Sequence, residues 1–203
     1  MQFRKSLLAL LVSAAFAAPA FAQEAPPPAP NNAADVQRDV NQQQRIEQGL
    51  QSGQLSTKEA GSLERQQQHV DRMEQRADRN GSISPAEQSR IDAAQNRASA
   101  NVYRDKHNAA TGNPQSASSQ RMQADVQRSV NQQQRIENGV RNDSLTNRET
   151  GKLEGGQARV DRSEANAAAN GRVGAGEQAR IQGRENRQSA RIFNKKHNAR
   201  RRS

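Results

Sequence analysis

The 203-residue sequence contains no cysteine and no tryptophan, and only one tyrosine and four phenylalanines. Without cysteine there can be no disulfide, no thiolate-bound zinc or iron–sulfur cluster, and no cysteine nucleophile. The scarcity of aromatic side chains also removes the stacking platform that proteins use for single-stranded nucleic acid. Long apolar segments are missing too, because the one apolar run, residues 7–18, is shorter than the roughly 20 residues that span a bilayer.

That single apolar run lies at the beginning of the chain and has the features of a secretory signal. Arg4 and Lys5 precede it, and Ala20-Phe21-Ala22 follows with the small residues that a signal peptidase requires. We therefore expect residues 1–22 to be a signal peptide cleaved near Ala22. The mature protein is then periplasmic or secreted, and it has no integral membrane span.

An internal duplication organises the rest of the sequence. Residues 41–47 return unchanged as residues 131–137, and about half of the positions from 34 to 109 carry the same residue 90 positions later. Residues 23–32 are rich in proline and predict an extended linker, whereas the Gly, Asn, Pro and Ser content of residues 110–119 predicts a flexible joint. The first copy is thus residues 33–109, the second copy is residues 120–199, and residues 200–203 are a basic tail.

The periodicity of the apolar residues predicts three helices in each copy. In the first copy these span about 33–51, 57–79 and 85–108, and the second helix carries Leu63, Val70 and Ala77 a heptad apart. No alternating β-branched pattern indicates a strand. We expect an all-α protein of two tandem three-helix, hairpin-like repeats with partly disordered ends and a thin core. The sequence leaves open whether the two copies dock.

One turn pattern occurs four times, in residues 53–59, 81–87, 143–149 and 171–177. It consists of Gly or Asp, any residue, an aliphatic residue, a capping position usually filled by Ser or Thr, and Glu three residues later. Gly or Asp can adopt the left-handed conformation after a helix. Ser or Thr with the following Glu forms a capping box for the next helix. The pattern therefore predicts four αα-hairpin turns.

The same pattern resembles the calcium loop of EF-hand proteins, in which Gly, an aliphatic residue and a bidentate Glu hold loop positions 6, 8 and 12. The best match is residues 76–87, which place Asp78, Asn80 and Glu87 at ligand positions. It departs from the family at the first position, where Arg76 replaces the usual Asp. The resemblance implies calcium binding through Asp78, Asn80 and Glu87, and the alternative is a hairpin turn without metal or any other cofactor.

The overall pattern is also similar to small secreted proteins of Gram-negative bacteria that carry Gln/Arg-rich helical repeats. That resemblance implies export and duplication, and it implies no particular activity.

Some polar residues are identical in the two copies, among them Gln42, Gln43 and the pair Asp71-Arg72. We interpret the glutamines as hydrogen-bonding groups between helices and the Asp and Arg residues as partners in ion pairs between helices. A shared binding face is the alternative. His107 and His197 lie in matching Lys-His-Asn-Ala ends, which we interpret as solvated helix ends.

The charge is concentrated in the second copy. Residues 33–112 hold 11 basic and 11 acidic residues, whereas residues 120–203 hold 18 basic and 9 acidic residues, a net charge of +9. Such an excess favours polyanions or anionic surfaces. The residues that we expect to bind them are Lys195, Lys196, Arg200, Arg201 and Arg202.

No Ser/His/Asp arrangement, Gly-rich phosphate loop or HExxH motif appears, so we expect no enzymatic activity. Three functions remain. The first is a non-enzymatic periplasmic or secreted helical binding protein, chaperone-like or stress-associated, with an unidentified protein partner. The second is divalent-metal binding at the EF-hand-like loops. The third is binding of an anionic surface polymer through the second copy, intracellular nucleic acid being a poor candidate for an exported protein.

Overall fold

The computed structural model describes residues 32–199, which are almost entirely helical and contain no strand. This confirms the all-α prediction. The α-helices of this part of the chain are Ala33–Ser52 (α1), Thr57–Ala77 (α2), Pro85–Lys106 (α3), Ala117–Arg141 (α4), Asn147–Ala167 (α5) and Ala175–Lys196 (α6). None of them is long and apolar enough to cross a membrane. The predicted signal peptide and the tail arginines lie outside the described residues.

The helix bounds repeat with the period of the sequence. Helices α5 and α6 begin and end 90 residues after α2 and α3, and the short 3₁₀ turns at Asp78–Asn80 and Ala168–Asn170 are also 90 residues apart. Helix α4 is the exception, since it begins at Ala117, inside the segment predicted as a joint. Ser116 caps it by accepting a hydrogen bond from the Ser119 amide.

All four predicted turns have the expected backbone. Gly53, Gly81, Asp143 and Gly171 have φ values of 75°, 92°, 56° and 82°. The aliphatic residue two positions later is buried in every case, at Leu55, Ile83, Leu145 and Val173. Ser56, Ser84 and Thr146 each form a complete capping box with the Glu three residues later. In the fourth turn Gly174 has no side chain to donate or accept, so only the Glu177 carboxylate bond to the Gly174 amide remains.

The helices of the two copies pack against each other in antiparallel pairs. Gly61 of α2 lies against Ala168 beyond the end of α5, and Gly151 of α5 lies against Asp78 beyond the end of α2. Adding 90 to one member and subtracting 90 from the other converts the first contact into the second. The copies are thus related by an approximate twofold symmetry. Helix α1 pairs with α4, helix α3 packs on α1 and α2, and α6 packs on α4 and α5.

The two copies share one core. One apolar cluster joins Ile46, Leu50 and Leu63 of the first copy with Met122 and Ile181 of the second copy. In another cluster, Val36 of α1 packs among residues of α4, α5 and α6. The segment between the copies also packs against the first turn, since the Gly112 amide donates to the Gly53 carbonyl at 2.8 Å. The question that the sequence left open is therefore answered, because the copies dock.

Candidate functional site

The inner faces of α2 and α5 carry carboxylates beside their apolar residues. Leu63, Val70 and Ala77 are buried, as their spacing predicts. Glu64, Asp71 and Glu74 occupy neighbouring positions on the same face and are at most 2% exposed. Their equivalents in the second copy, Glu154, Asp161 and Glu164, are equally buried. The interface between α2 and α5 therefore holds six carboxylates where a helical bundle usually has aliphatic side chains.

Four of the carboxylates that α1, α2 and α5 bring to the core form what we call the first cluster: Asp39, Asp71, Glu74 and Glu154. One oxygen from each of them lies within 4.8 Å of the others. Three come from the first copy, and Glu154 comes from the second copy. The cluster therefore exists only because the copies dock.

The twofold symmetry produces a second cluster, which consists of Glu64, Asp161 and Glu164. Each member is the 90-residue equivalent of a member of the first cluster. The fourth position differs, because Ser129 stands where the first copy has Asp39. Its hydroxyl donates to Glu164 Oε1 at 3.1 Å.

Amide side chains supply the remaining donors. Gln95 Nε2 of α3 donates to Asp39 Oδ1 at 3.1 Å and to Glu74 Oε1 at 3.0 Å. Gln133 donates to Glu154, and its equivalent Gln43 donates to Glu64. These bonds confirm that Gln43 joins helices through its amide. They also fix one oxygen of each of these four carboxylates and leave the other oxygen to neighbouring carboxyls.

The core has far more acceptors than donors. Among the described residues, the buried side-chain polar atoms without a hydrogen-bond partner are oxygens with one exception, Gln157 Nε2. If every carboxyl is ionised, they include one oxygen each of Asp39, Asp71, Glu74 and Glu154, and both oxygens of Asp161. A proton on one member of a pair allows carboxyl–carboxyl hydrogen bonds between Asp39 and Glu74 and between Asp71 and Asp161. A buried acceptor without a partner costs on the order of 1–3 kcal/mol, and more when it is charged. Surplus oxygens therefore require protons or a cation.

The pKa values of these groups are raised in the same way. Burial, opposed by hydrogen bonds, raises the pKa values of Asp39 and Glu64 to about 7. Burial, followed by the neighbouring Asp161 and Glu154 carboxylates, raises the pKa of Asp71 well above its usual range. Near neutral pH, several of these carboxyls therefore hold protons in the absence of any other cation.

A further acidic pair adjoins the second cluster. Burial and the nearby Asp125 raise the pKa of Glu185 to about 8, even though Arg128 lies 3.3 Å from its Oε2. Burial also raises the pKa of Asp125 to about 7. In the first copy the position of Glu185 is occupied by the neutral Gln95. Since Ser129 replaces Asp39 and Glu185 replaces Gln95, the two ends of the core hold the same number of carboxylates in different arrangements.

The oxygens of the first cluster lie close enough together for one hard cation to contact all of them. Calcium binds oxygens at 2.3–2.6 Å, so two oxygens on opposite sides of the ion lie roughly 4.6–5.2 Å apart. One oxygen of each carboxylate in the first cluster lies within 4.8 Å of the others, so these oxygens are no farther apart than two oxygens across a calcium ion. Carboxylate and amide oxygens without His or Cys are the donor set that calcium, magnesium and manganese prefer.

The EF-hand-like residues have partners of other kinds. Asp78 is buried and accepts a hydrogen bond from Asn32. Asn80 Oδ1 accepts from the Ser82 amide, and Glu87 Oε2 accepts from both the amide and the hydroxyl of Ser84. These are the interactions of a capped hairpin turn. Calcium binding through Asp78, Asn80 and Glu87 stays a prediction.

The described part of the predicted basic site also has local partners. Lys195 Nζ lies 3.6 Å from Glu149 Oε1, and Lys196 Nζ donates to the Arg135 carbonyl. Arg200, Arg201 and Arg202 lie outside the described residues, so binding of anions there also stays a prediction. His107 and His197 are exposed at helix ends, where they stack on Tyr103 and Phe193 with ring centroids 4.2 Å apart.

Sequence reasoning missed the acidic core. Asp71 and Asp161 were expected to pair with arginines between helices, but none of the ion pairs among residues 32–199 includes either. A usable signal was present in the sequence. Glu64, Asp71 and Glu74 fall on the apolar face of α2, and all three are identical in the second copy.

No family model, curated protein or solved structure matches this chain. Geometry and chemistry must therefore carry any assignment of function.

Proposed function

We propose that this protein is a non-enzymatic binding protein of the bacterial envelope that holds divalent cations in its carboxylate core. The observation that carries the proposal is the convergence of four buried carboxyls, Asp39, Asp71, Glu74 and Glu154, each of which keeps an oxygen without a donor once all four are ionised. A single divalent cation would satisfy all four. The envelope location rests on the signal sequence alone.

The donor set favours calcium or manganese over zinc or copper, because it contains no His or Cys. Magnesium is a weaker candidate, since it requires oxygens at 2.0–2.1 Å and keeps several of its waters. At neutral pH some of these carboxyls hold protons, and an ion must displace those protons to reach the oxygens. Binding should therefore release protons and tighten as the pH rises.

Proton release provides the test. Calcium, manganese and magnesium would be titrated into the mature protein by calorimetry at pH 7.5, in two buffers with different ionisation enthalpies. The apparent binding enthalpy should depend on the buffer, because carboxyls lose protons to that buffer when the ion enters.

The matched variants are Glu74→Gln, in the first cluster, and Asp92→Asn, on the surface. Glu74→Gln should abolish binding and the buffer dependence, whereas Asp92→Asn should leave both unchanged. Since Gln adds a donor to an acceptor-rich core, the first variant should remain folded. Absence of binding at millimolar concentrations of all three ions, or equal binding by Glu74→Gln, would refute the proposal.

A further inference from the structure

A second feature lies on the outer face of the second copy, between α5 and α6. Four arginines line a cleft of about 130 Å³: Arg159, Arg184, Arg187 and Arg191. The last three recur at helical spacing along α6, and Arg159 faces them from α5. Such a cleft has room for roughly four waters, at about 30 Å³ each, or for one small oxyanion.

These guanidinium groups have no counter-charge of their own. Among residues 32–199, none of the four guanidinium groups forms an ion pair or donates a hydrogen bond. Burial, together with Arg191, Arg184 and Arg72, lowers the pKa of Arg159. Cations that are held together in this way repel each other, and an anion between them would remove the repulsion.

The corresponding groove of the first copy shows what has changed. His69, Ala94, Arg97 and Asn101 occupy the four positions, so only one of the four arginines is present there. That groove is also bridged, because Asn101 Nδ2 donates to Gln66 Oε1 at 2.6 Å. The second copy has Gly156 in place of Gln66 and Arg191 in place of Asn101. The second change adds charge. The cleft, at about 130 Å³, is smaller than the first copy's groove of about 270 Å³, which Arg65 also lines.

The floor of the cleft adds a polar group. Gln188 is 1% exposed; its Nε2 donates to the Leu153 carbonyl at 2.9 Å, and its Oε1 has no partner. Gly156 makes this placement possible, since a side chain there would overlap the Gln188 amide. An oxyanion that also carries a hydroxyl, such as hydrogenphosphate, would accept from the arginines and donate to Gln188 Oε1.

We infer that this arginine cleft is a binding site for a phosphate group. Planar guanidinium forks match phosphate oxygens in pairs, which a cluster of lysines would not do. The site is separate from the basic tail and from the acidic core, and it does not depend on cation binding in the clusters. The phosphate could be free inorganic phosphate or a monoester on a lipid headgroup.

Calorimetry would measure inorganic phosphate binding to the full mature chain at constant ionic strength, with chloride as the balancing anion. The combined variant Arg184→Ala/Arg191→Asn removes two of the arginines, and Arg90→Ala/Arg172→Ala is the control that removes two exposed arginines outside the cleft. Loss of charge-assisted bonds should weaken phosphate binding at least about tenfold in the double variant and leave the control unchanged.

A third variant, Gly156→Gln, overlaps the Gln188 amide and should weaken phosphate binding by displacing Gln188 Oε1 without a change of charge, with circular dichroism to show that the variant is folded. Co-sedimentation with phosphatidic acid vesicles, against phosphatidylcholine vesicles, then distinguishes a lipid monoester from free phosphate as the source. Equal phosphate affinity in wild type, the double variant and Gly156→Gln, or no binding at all, would overturn the inference.

Discussion

The two carboxylate clusters are equivalent by symmetry but differ at one position, Asp39 in the first and Ser129 in the second. The first cluster therefore has four carboxylates around a common centre, and the second has three. Ser129 also donates a hydrogen bond to Glu164, which satisfies an oxygen that a cation would otherwise use. The same fold thus accepts Asp or Ser at this position, and Glu185 in place of Gln95 returns one carboxylate to the second end of the core.

This difference indicates that the fourth carboxylate is not needed for the fold. Helices α1 and α4 pack in the same way whether the position holds Asp or Ser. If the acidic core served stability alone, the serine would be the better choice at both positions, because removing a buried carboxylate removes a desolvation cost. The proposed ion binding would give Asp39 a role that stability alone does not.

The largest expected effect is the change of folding stability with pH. The acidic core should give a dependence that an aliphatic helical core would not show. The pKa values of Asp39, Glu64 and Asp125 are raised to about 7, and that of Glu185 to about 8. Between pH 4 and 8 these four carboxyls thus hold more protons in the folded state than in the unfolded state. The stability that they contribute is fully present below about pH 4, decreases above it, and is lost as the pH rises through 7–8.

Thermal unfolding followed by circular dichroism, with chelator present, should give a Tm lower by about 10 °C or more at pH 8.5 than at pH 5. Calcium or manganese should restore much of this loss at pH 8.5. A Tm that rises with pH in chelator would show that these carboxyls do not hold protons in the folded state.

The next effect compares the two halves of the α2–α5 interface, which should lose similar amounts of stability when their close helix contacts are crowded. A Cβ added to Gly61 or to Gly151 would lie 2.5 Å from the Cβ of Ala168 or of Asp78. Both Gly→Ala variants should therefore destabilise the protein by about 1–3 kcal/mol in urea unfolding.

Gly183→Ala is the control, because its nearest neighbour is the end of the Arg187 side chain at 3.7 Å. There the higher helix propensity of alanine should stabilise by about 0.5–1 kcal/mol. A neutral result at Gly61 together with a large loss at Gly151 would contradict the twofold equivalence.

A smaller effect is expected when the residues that distinguish the two clusters are exchanged. Asp39→Ser should weaken ion binding at the first cluster at least about tenfold, or about 1.4 kcal/mol, and should raise the Tm at pH 8.5 in chelator. Ser129→Asp should have the opposite effects at the second cluster. Calorimetry and thermal unfolding on the two variants measure both quantities, and similar affinities in all three proteins would remove the distinction between the clusters.

The smallest effect compares the turns that precede α3 and α6. Ser84 provides a side-chain cap that Gly174 lacks, while Glu87 and Glu177 close both turns in the same way. Ser84→Ala should cost about 1 kcal/mol in urea unfolding, and Gly174→Ser should gain a few tenths. If neither substitution changed the free energy of unfolding, the glutamate would carry the cap alone.

The sequence was sufficient to predict the helices and turns, because those depend on local chemistry. Ser84 and Glu87 lie within one turn, and Gly81 determines its own backbone conformation. The acidic core could not be predicted in this way. Glu154 joins Asp71 only through the antiparallel packing of α2 on α5, which connects residues of different copies. Like carboxylates are also expected to avoid each other, so their convergence in a core contradicts the usual preference for buried charges to be paired.

The most direct measurement is anomalous diffraction from crystals grown with manganese at pH 8. Our account expects a peak bonded to oxygens of Asp39, Asp71, Glu74 and Glu154, and a weaker peak or none among Glu64, Asp161 and Glu164. Peaks confined to the surface, for example beside Glu87 in the EF-hand-like turn, would contradict it and would favour the loop prediction instead.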